Sequence, residues 1–206
     1  YNKASQTEVI TDAIDIRQVL ERAATAEVEA GGEYIRPIVL FQAQPRTSDD
    51  VTSFEKLRAK LIDAGVPGNQ IAIKTATVDE LKNVNLLSES CPVRYIITVN
   101  ALKEGWDCPF AYVLASLANK TSQVDVEQIL GRILRQPHTK HHANGLLNTS
   151  YVLTSSNDFQ ATIDNVVAGL NTAGFTARDY RVANQLPMDE LAQPTPGIDP
   201  QPADEN

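Results

Sequence analysis

Gln128, Gly131, Arg132 and Arg135 are separated by steps of three, one and three residues. On an α-helix, positions three, four and seven beyond Gln128 share its face. That spacing sets two guanidinium groups side by side on one rigid element. Each is permanently charged and can fork onto paired phosphate oxygens, so the chemistry it suits is the handling of phosphate charge. Gly131 between them costs the helix about 1 kcal/mol relative to Ala, and it leaves room for another group to approach closely. Val126, Ile129, Leu130, Ile133 and Leu134 fall on the opposite face, which is the core side. Two arginines one turn apart on a surface helix ordinarily just face water. The glutamine, the glycine and the three-residue steps set this helix apart.

The elements around it read as alternating helices and strands. Ser5 to Ala30 is a predicted helix, with Val9, Ile10, Ala13, Ile16, Val19, Leu20 and Ala23 at helical steps and Gly31-Gly32 ending it. Pro37 to Ala43 is a short apolar run of the kind that forms a strand buried on both faces. A helix is expected from an N-cap at Ser48 through Ala64, followed by a turn at Gly65 to Gly68. A strand over Gln70 to Lys74, a short helix over Val78 to Leu87 and a strong strand over Arg94 to Val99 come next. Beyond these lie a strand near Ala111 to Leu117, the arginine helix over Val124 to Arg135, a strand over Ser150 to Thr154 and a helix over Asp158 to Leu170. Such alternation means an α/β domain with a mostly parallel sheet. Ligands of these sheets gather at the carboxyl ends of the strands, which is where the Gly105-Trp106-Asp107 segment should lie.

Composition fits a soluble globular protein, with 42% hydrophobic and 21% charged residues. No apolar run reaches the ~20 residues of a membrane-spanning helix, and the polar opening Tyr1-Asn2-Lys3 is not that of a signal peptide. A start on Tyr is expected of a piece of a longer protein. Cys91 and Cys108, the only cysteines, read as reduced thiols of a cytoplasmic protein. The net charge of −8 argues against a nucleic-acid binder until its distribution is considered. Five of the acids lie in Ala183 to Asn206, a Pro-rich stretch without Lys or Arg that reads as a disordered tail or linker. Gly131 to His142, by contrast, holds Arg132, Arg135, Lys140 and three histidines and no acid. The expected organisation is therefore an N-terminal helix and lead-in over 1–35, one domain over 36–182 and the acidic tail over 183–206. His138, His141 and His142 read as a solvated loop with no nearby carboxylate or Cys, not as a metal site. Trp106 could cover a base or belong to the core, and Lys103 and Glu104 make a simple surface pair.

Over roughly Arg36 to Leu170 the chain resembles the second motor domain of superfamily-two helicases and translocases. Gln128-x-x-Gly131-Arg132-x-x-Arg135 is similar to their motif VI, and Leu102-Lys-Glu-Gly105-Trp106-Asp107-Cys-Pro109 to motif V at the usual distance upstream. Ile38 to Gln42 resembles the motif IV strand. The wording of motifs V and VI is most similar to the ATP-dependent restriction subunit of type III restriction enzymes. The resemblance implies a RecA-like three-layer αβα domain. In it Arg132 and Arg135 would act as arginine fingers on an ATP held, with Mg²⁺, by an upstream RecA-like domain. It further implies that Asp107 hydrogen-bonds the ribose, that Gly105 lets the backbone pass close by, and that Gln128 and Gly131 line the nucleotide cleft. Thr98, Asn100 and Gln42 would contact nucleic acid, DNA above all. Thr98 lies seven residues before Gly105, where many relatives have six. A methyltransferase or specificity subunit is a further partner that the resemblance suggests.

No Gly-x-x-x-x-Gly-Lys-Ser/Thr loop and no Asp-Glu-x-His motif occur in these 206 residues. The segment by itself is therefore expected to hydrolyse ATP negligibly, and it has no visible nuclease domain. Two other classes compete with the motor. One is a non-catalytic nucleic-acid-binding or protein-interaction module that keeps the fold, and the other is a doubly wound domain for an unrelated small ligand. The first predicts that the arginines can be lost freely, and the second gives them no task.

Overall fold

The computed structural model describes residues 5–43, 53–99, 108, 110–117, 142–154 and 168. Helix α1 spans Gln6–Glu29. The Ser5 hydroxyl accepts from the Glu8 N–H at 3.2 Å while the Glu8 carboxylate accepts from the Ser5 N–H, a complete capping box. Gly31, at φ +89°, turns the chain out of the helix through the left-handed region. The apolar stripe read from the sequence is the buried face, and Arg17 joins it.

Five strands follow: β1 (Ile38–Gln42), β2 (Ile71–Lys74), β3 (Tyr95–Thr98), β4 (Ala111–Ser116) and β5 (Tyr151–Thr154), with helix α2 (Ser53–Asp63) between β1 and β2. They form one sheet in the order β2-β3-β1-β4-β5, and every pair is parallel. The α/β class and the parallel sheet expected for a RecA-like domain are both present. β1 is central and buried throughout, which is why its sequence is an unbroken apolar run up to Gln42.

Helices α1 and α2 share one side of the sheet. Arg17 on α1 donates to the Tyr95 hydroxyl on β3 at 2.8 Å, and Lys60 on α2 reaches Gln6 on α1 at 3.3 Å. Strand alternation then sends the side chains of Leu40, Ile96 and Leu114 to the other face, and with them those of Gln42, Thr98 and Ser116.

The region expected as a helix over Val78 to Leu87 is not one. Lys74 bridges to Asp79 and the chain proceeds through turns. Short polar side chains there take the backbone donors a helix would need. Thr75 accepts from Val78 N–H at 3.0 Å, Asp79 from Leu81 N–H at 3.1 Å and Asn85 from Leu87 N–H at 3.0 Å. Asn83 adopts φ 70°, which breaks any helix. The arginine helix over Val124 to Arg135, the 183–206 tail and, apart from Ala168, the helix over Asp158 to Leu170 lie outside the described residues. No helix among the described residues is long and apolar enough to cross a membrane.

Candidate functional site

The five described strands are all parallel, so their carboxyl ends lie along one edge. Each strand closes on a polar residue: Lys74, Thr98, Gln42, Ser116 and Thr154, in sheet order. The register pairs them into a single row, Lys74 with Thr98, Thr98 with Gln42, Gln42 with Ser116 and Ser116 with Thr154. Paired residues of parallel neighbours share a face, so the row lies on the side away from α1 and α2.

The row is largely covered. Thr98 is fully buried, and Gln42 and Ser116 are 9% and 7% exposed. The Ser116 hydroxyl donates to the Gln42 side-chain carbonyl at 2.9 Å. At one end of the row Lys74 is ion-paired with Asp79, and the hydrogen bond it gives holds the Asp79 carboxyl below its ordinary range. Of the residues expected to form the site, Thr98 and Gln42 are thus in register on adjacent strands. Asn100, Gly105, Asp107, Gln128, Gly131, Arg132 and Arg135 lie outside the described residues. Ser116 was not singled out from the sequence. Its sequence signal is weak, a single serine inside the apolar run Ala111 to Leu117; it is the register with Gln42 that picks it out.

A second cluster sits where α1 meets the turn before β5. The Glu27 carboxylate accepts from the Ala143 N–H at 3.1 Å and the Asn144 N–H at 3.2 Å, and it lies 3.4 Å from His142 Nδ1. His142 was expected in an exposed loop without a carboxylate nearby, but it is buried and faces one. The reason is long-range: Glu27 comes from a helix more than a hundred residues away in sequence. Tyr112 on β4 is pushed up to about 12 by burial and then by Glu27. Among the described residues no group of three or more side chains is arranged to hold a metal ion.

Cys91 and Cys108 are both buried free thiols. Burial pushes the Cys108 thiol up to about 12, against smaller opposing effects of a Phe110 backbone hydrogen bond and Arg36, which favours the neutral thiol over the thiolate. An open groove of about 390 Å³ follows one stripe of α1 from Gln18 to Glu29. It is lined by polar and charged residues together with Ala26, and it runs along the surface of a single helix.

No family model matches the chain, and no curated protein sequence does. Among solved structures, the ATP-dependent Type ISP restriction-modification enzyme LlaBIII bound to DNA is similar at 18% identity and a TM-score of 0.41, over 76% of this chain. The chain spans only 12% of that enzyme. The C-terminal domain of a Dbp5 variant from S. cerevisiae, bound to a Gle1 variant and IP6, is similar at 14% identity and a TM-score of 0.36, over 79% of this chain and 80% of that one.

Proposed function

We infer that this chain is the second RecA-like motor domain of a superfamily-two helicase or translocase, of the kind that serves as the ATP-dependent subunit of type III restriction enzymes. The observation that supports it is the order in the sequence of two motif-like segments relative to the strands of a parallel sheet. β3 ends at Thr98, and the chain then runs into Leu102 to Pro109. β4 ends at Ser116, and the chain then runs into Gln128 to Arg135. In sequence, each segment thus follows a strand that ends at the carboxyl edge, where α/β sheets take their ligands.

In this reading an upstream RecA-like domain holds ATP with Mg²⁺, and this chain closes the cleft. Arg132 and Arg135 stabilise the charge that develops on the transferring phosphoryl group. The contribution of such a finger is about 10³ to 10⁵ in rate. Asp107 binds the ribose, Gly105 allows close approach, and Gln128 and Gly131 line the interdomain surface. Of the nucleic-acid contacts expected at Thr98, Asn100 and Gln42, Thr98 and Gln42 are covered, so in this reading the contact falls to Asn100.

The test is DNA-stimulated ATP hydrolysis by the intact protein carrying Arg132→Ala or Arg135→Ala. At least one variant is expected to lose about 10³-fold or more in kcat. Losses smaller than about tenfold in both would discard the finger and leave a non-catalytic module that keeps the fold.

A further inference from the structure

The central strand ties together the two exits from which the motif-like segments leave. The Ala43 N–H donates to the Thr98 carbonyl at 2.8 Å, which fixes the end of β1 to the end of β3. The Gln42 carbonyl accepts from the Leu117 N–H at 2.9 Å, which fixes it to the end of β4. To these backbone bonds the Gln42 side chain adds the 2.9 Å bond from the Ser116 hydroxyl, at the last residue of β4. Both side chains are nearly enclosed, so parting them would leave a buried polar group unsatisfied. A buried, satisfied pair of this kind specifies one geometry.

We propose that Gln42 and Ser116 are a positioning pair: their side chains lock the carboxyl ends of β1 and β4 together, beside the β3 end that the Ala43–Thr98 backbone bond already holds, and catalysis by the intact motor depends on that lock. The proposal rests on the motor-domain reading above. Neither residue touches ATP. A misplacement of about 1 Å at a distance from the chemistry can cost about 10²-fold in rate, and the pair acts by preventing one.

The experiment is a double-mutant cycle on kcat and KM of DNA-stimulated ATP hydrolysis by the intact protein. Its members are Ser116→Ala, Gln42→Met and the double variant, with Ser116→Thr as the conservative variant and Arg132→Ala as reference. Each single variant is expected to lower kcat about tenfold or more while KM for ATP stays within about twofold, because ground-state binding is untouched. The double variant should be no slower than the slower single one, since the two side chains share one interaction. Ser116→Thr, which keeps the hydroxyl, should recover most of the rate. Ser116→Cys keeps the side-chain volume if alanine unfolds the domain.

Two single variants within about twofold of the wild-type kcat, beside a slow Arg132→Ala, would overturn the pairing alone. So would multiplicative effects, or a Ser116→Thr variant as slow as Ser116→Ala. If neither Arg132→Ala nor Arg135→Ala is slow, the motor reading itself falls, and this inference with it.

Discussion

Replacing Arg36 tests how the irregular stretch from Thr75 to Cys91 is held to the sheet. Arg36 stands two residues before β1 and is 1% exposed. Its guanidinium donates to the Ser88 carbonyl at 2.7 Å, to the Leu86 carbonyl, and at 3.4 Å to the Tyr34 hydroxyl. It also lies 5.6 Å from the centre of the Phe110 ring. Among the described residues its partners are thus carbonyls, a phenol and an aromatic face, so it acts as a fork-shaped donor and not as half of an ion pair.

The magnitude follows from these contacts. Two bonds from a charged donor contribute about 1.5–3 kcal/mol each, and deleting the donor leaves two carbonyls unsatisfied. Against this, removing a buried charge recovers part of its desolvation cost. The net loss for Arg36→Met, which roughly fills the space, should be about 3 kcal/mol. For a domain of this size that is about 6–12 °C in Tm. Arg36→Ala should lose more, because it also opens a cavity. Urea and thermal unfolding followed by circular dichroism measure both variants. A Met variant within about 1 kcal/mol of wild type would show that the Leu86 and Ser88 bonds hold nothing, and would refute the reasoning.

Two further outcomes concern α1. A Cβ added at Gly32 would sit 2.7 Å from Glu27 Cγ and 2.8 Å from the Glu27 carbonyl oxygen. Gly32→Ala should therefore cost about 1–3 kcal/mol, and hydrogen exchange should show the Ala143 and Asn144 amides losing protection as Glu27 is displaced. Unchanged protection there would separate Gly32 from the Glu27 contacts. Burial works to raise the Glu21 carboxyl, but Arg17 and Arg94 outweigh it and hold the group below its ordinary value of 4.5. A depressed folded value means a contribution that is complete above the unfolded value and lost as pH falls through the folded one. Wild type should then lose more stability than Glu21→Gln as pH drops from about 5 to below 4, and parallel pH profiles would count against the Arg17–Glu21–Arg94 network.

Much of the fold was legible because it rests on local periodicity. The stripe of Val9, Ile10, Ala13, Ile16 and Leu20 needs only a 3.6-residue repeat, and all of these side chains are buried. The apolar runs of β1 and β3 need only a sheet covered on both faces. The misread helix over Val78 to Leu87 failed for an equally local reason. Thr75, Asp79 and Asn85 serve neighbouring N–H groups, which outcompetes an apolar pattern of only Val78, Leu81, Val84, Leu86 and Leu87. His142 failed for the opposite reason, since nothing near it in sequence announces Glu27.

The candidate site divides along the same line. Arginines at helical spacing can be read from one segment, but the Gln42–Ser116 bond joins residues 74 positions apart and depends on strand order. Chain order alone does not say that β1 lies between β3 and β4. Once it does, Gln42 has to meet Thr98 on one side and Ser116 on the other, because register fixes which residues share a row. A one-residue slip of β4 against β1 would turn Ser116 to the α1 face and bring Ala115 or Leu117 toward Gln42, leaving an unsatisfied amide in an apolar interior. The polar residue closing each apolar strand thus specifies register as well as the lower limit of the site, and the two tasks coincide at Gln42.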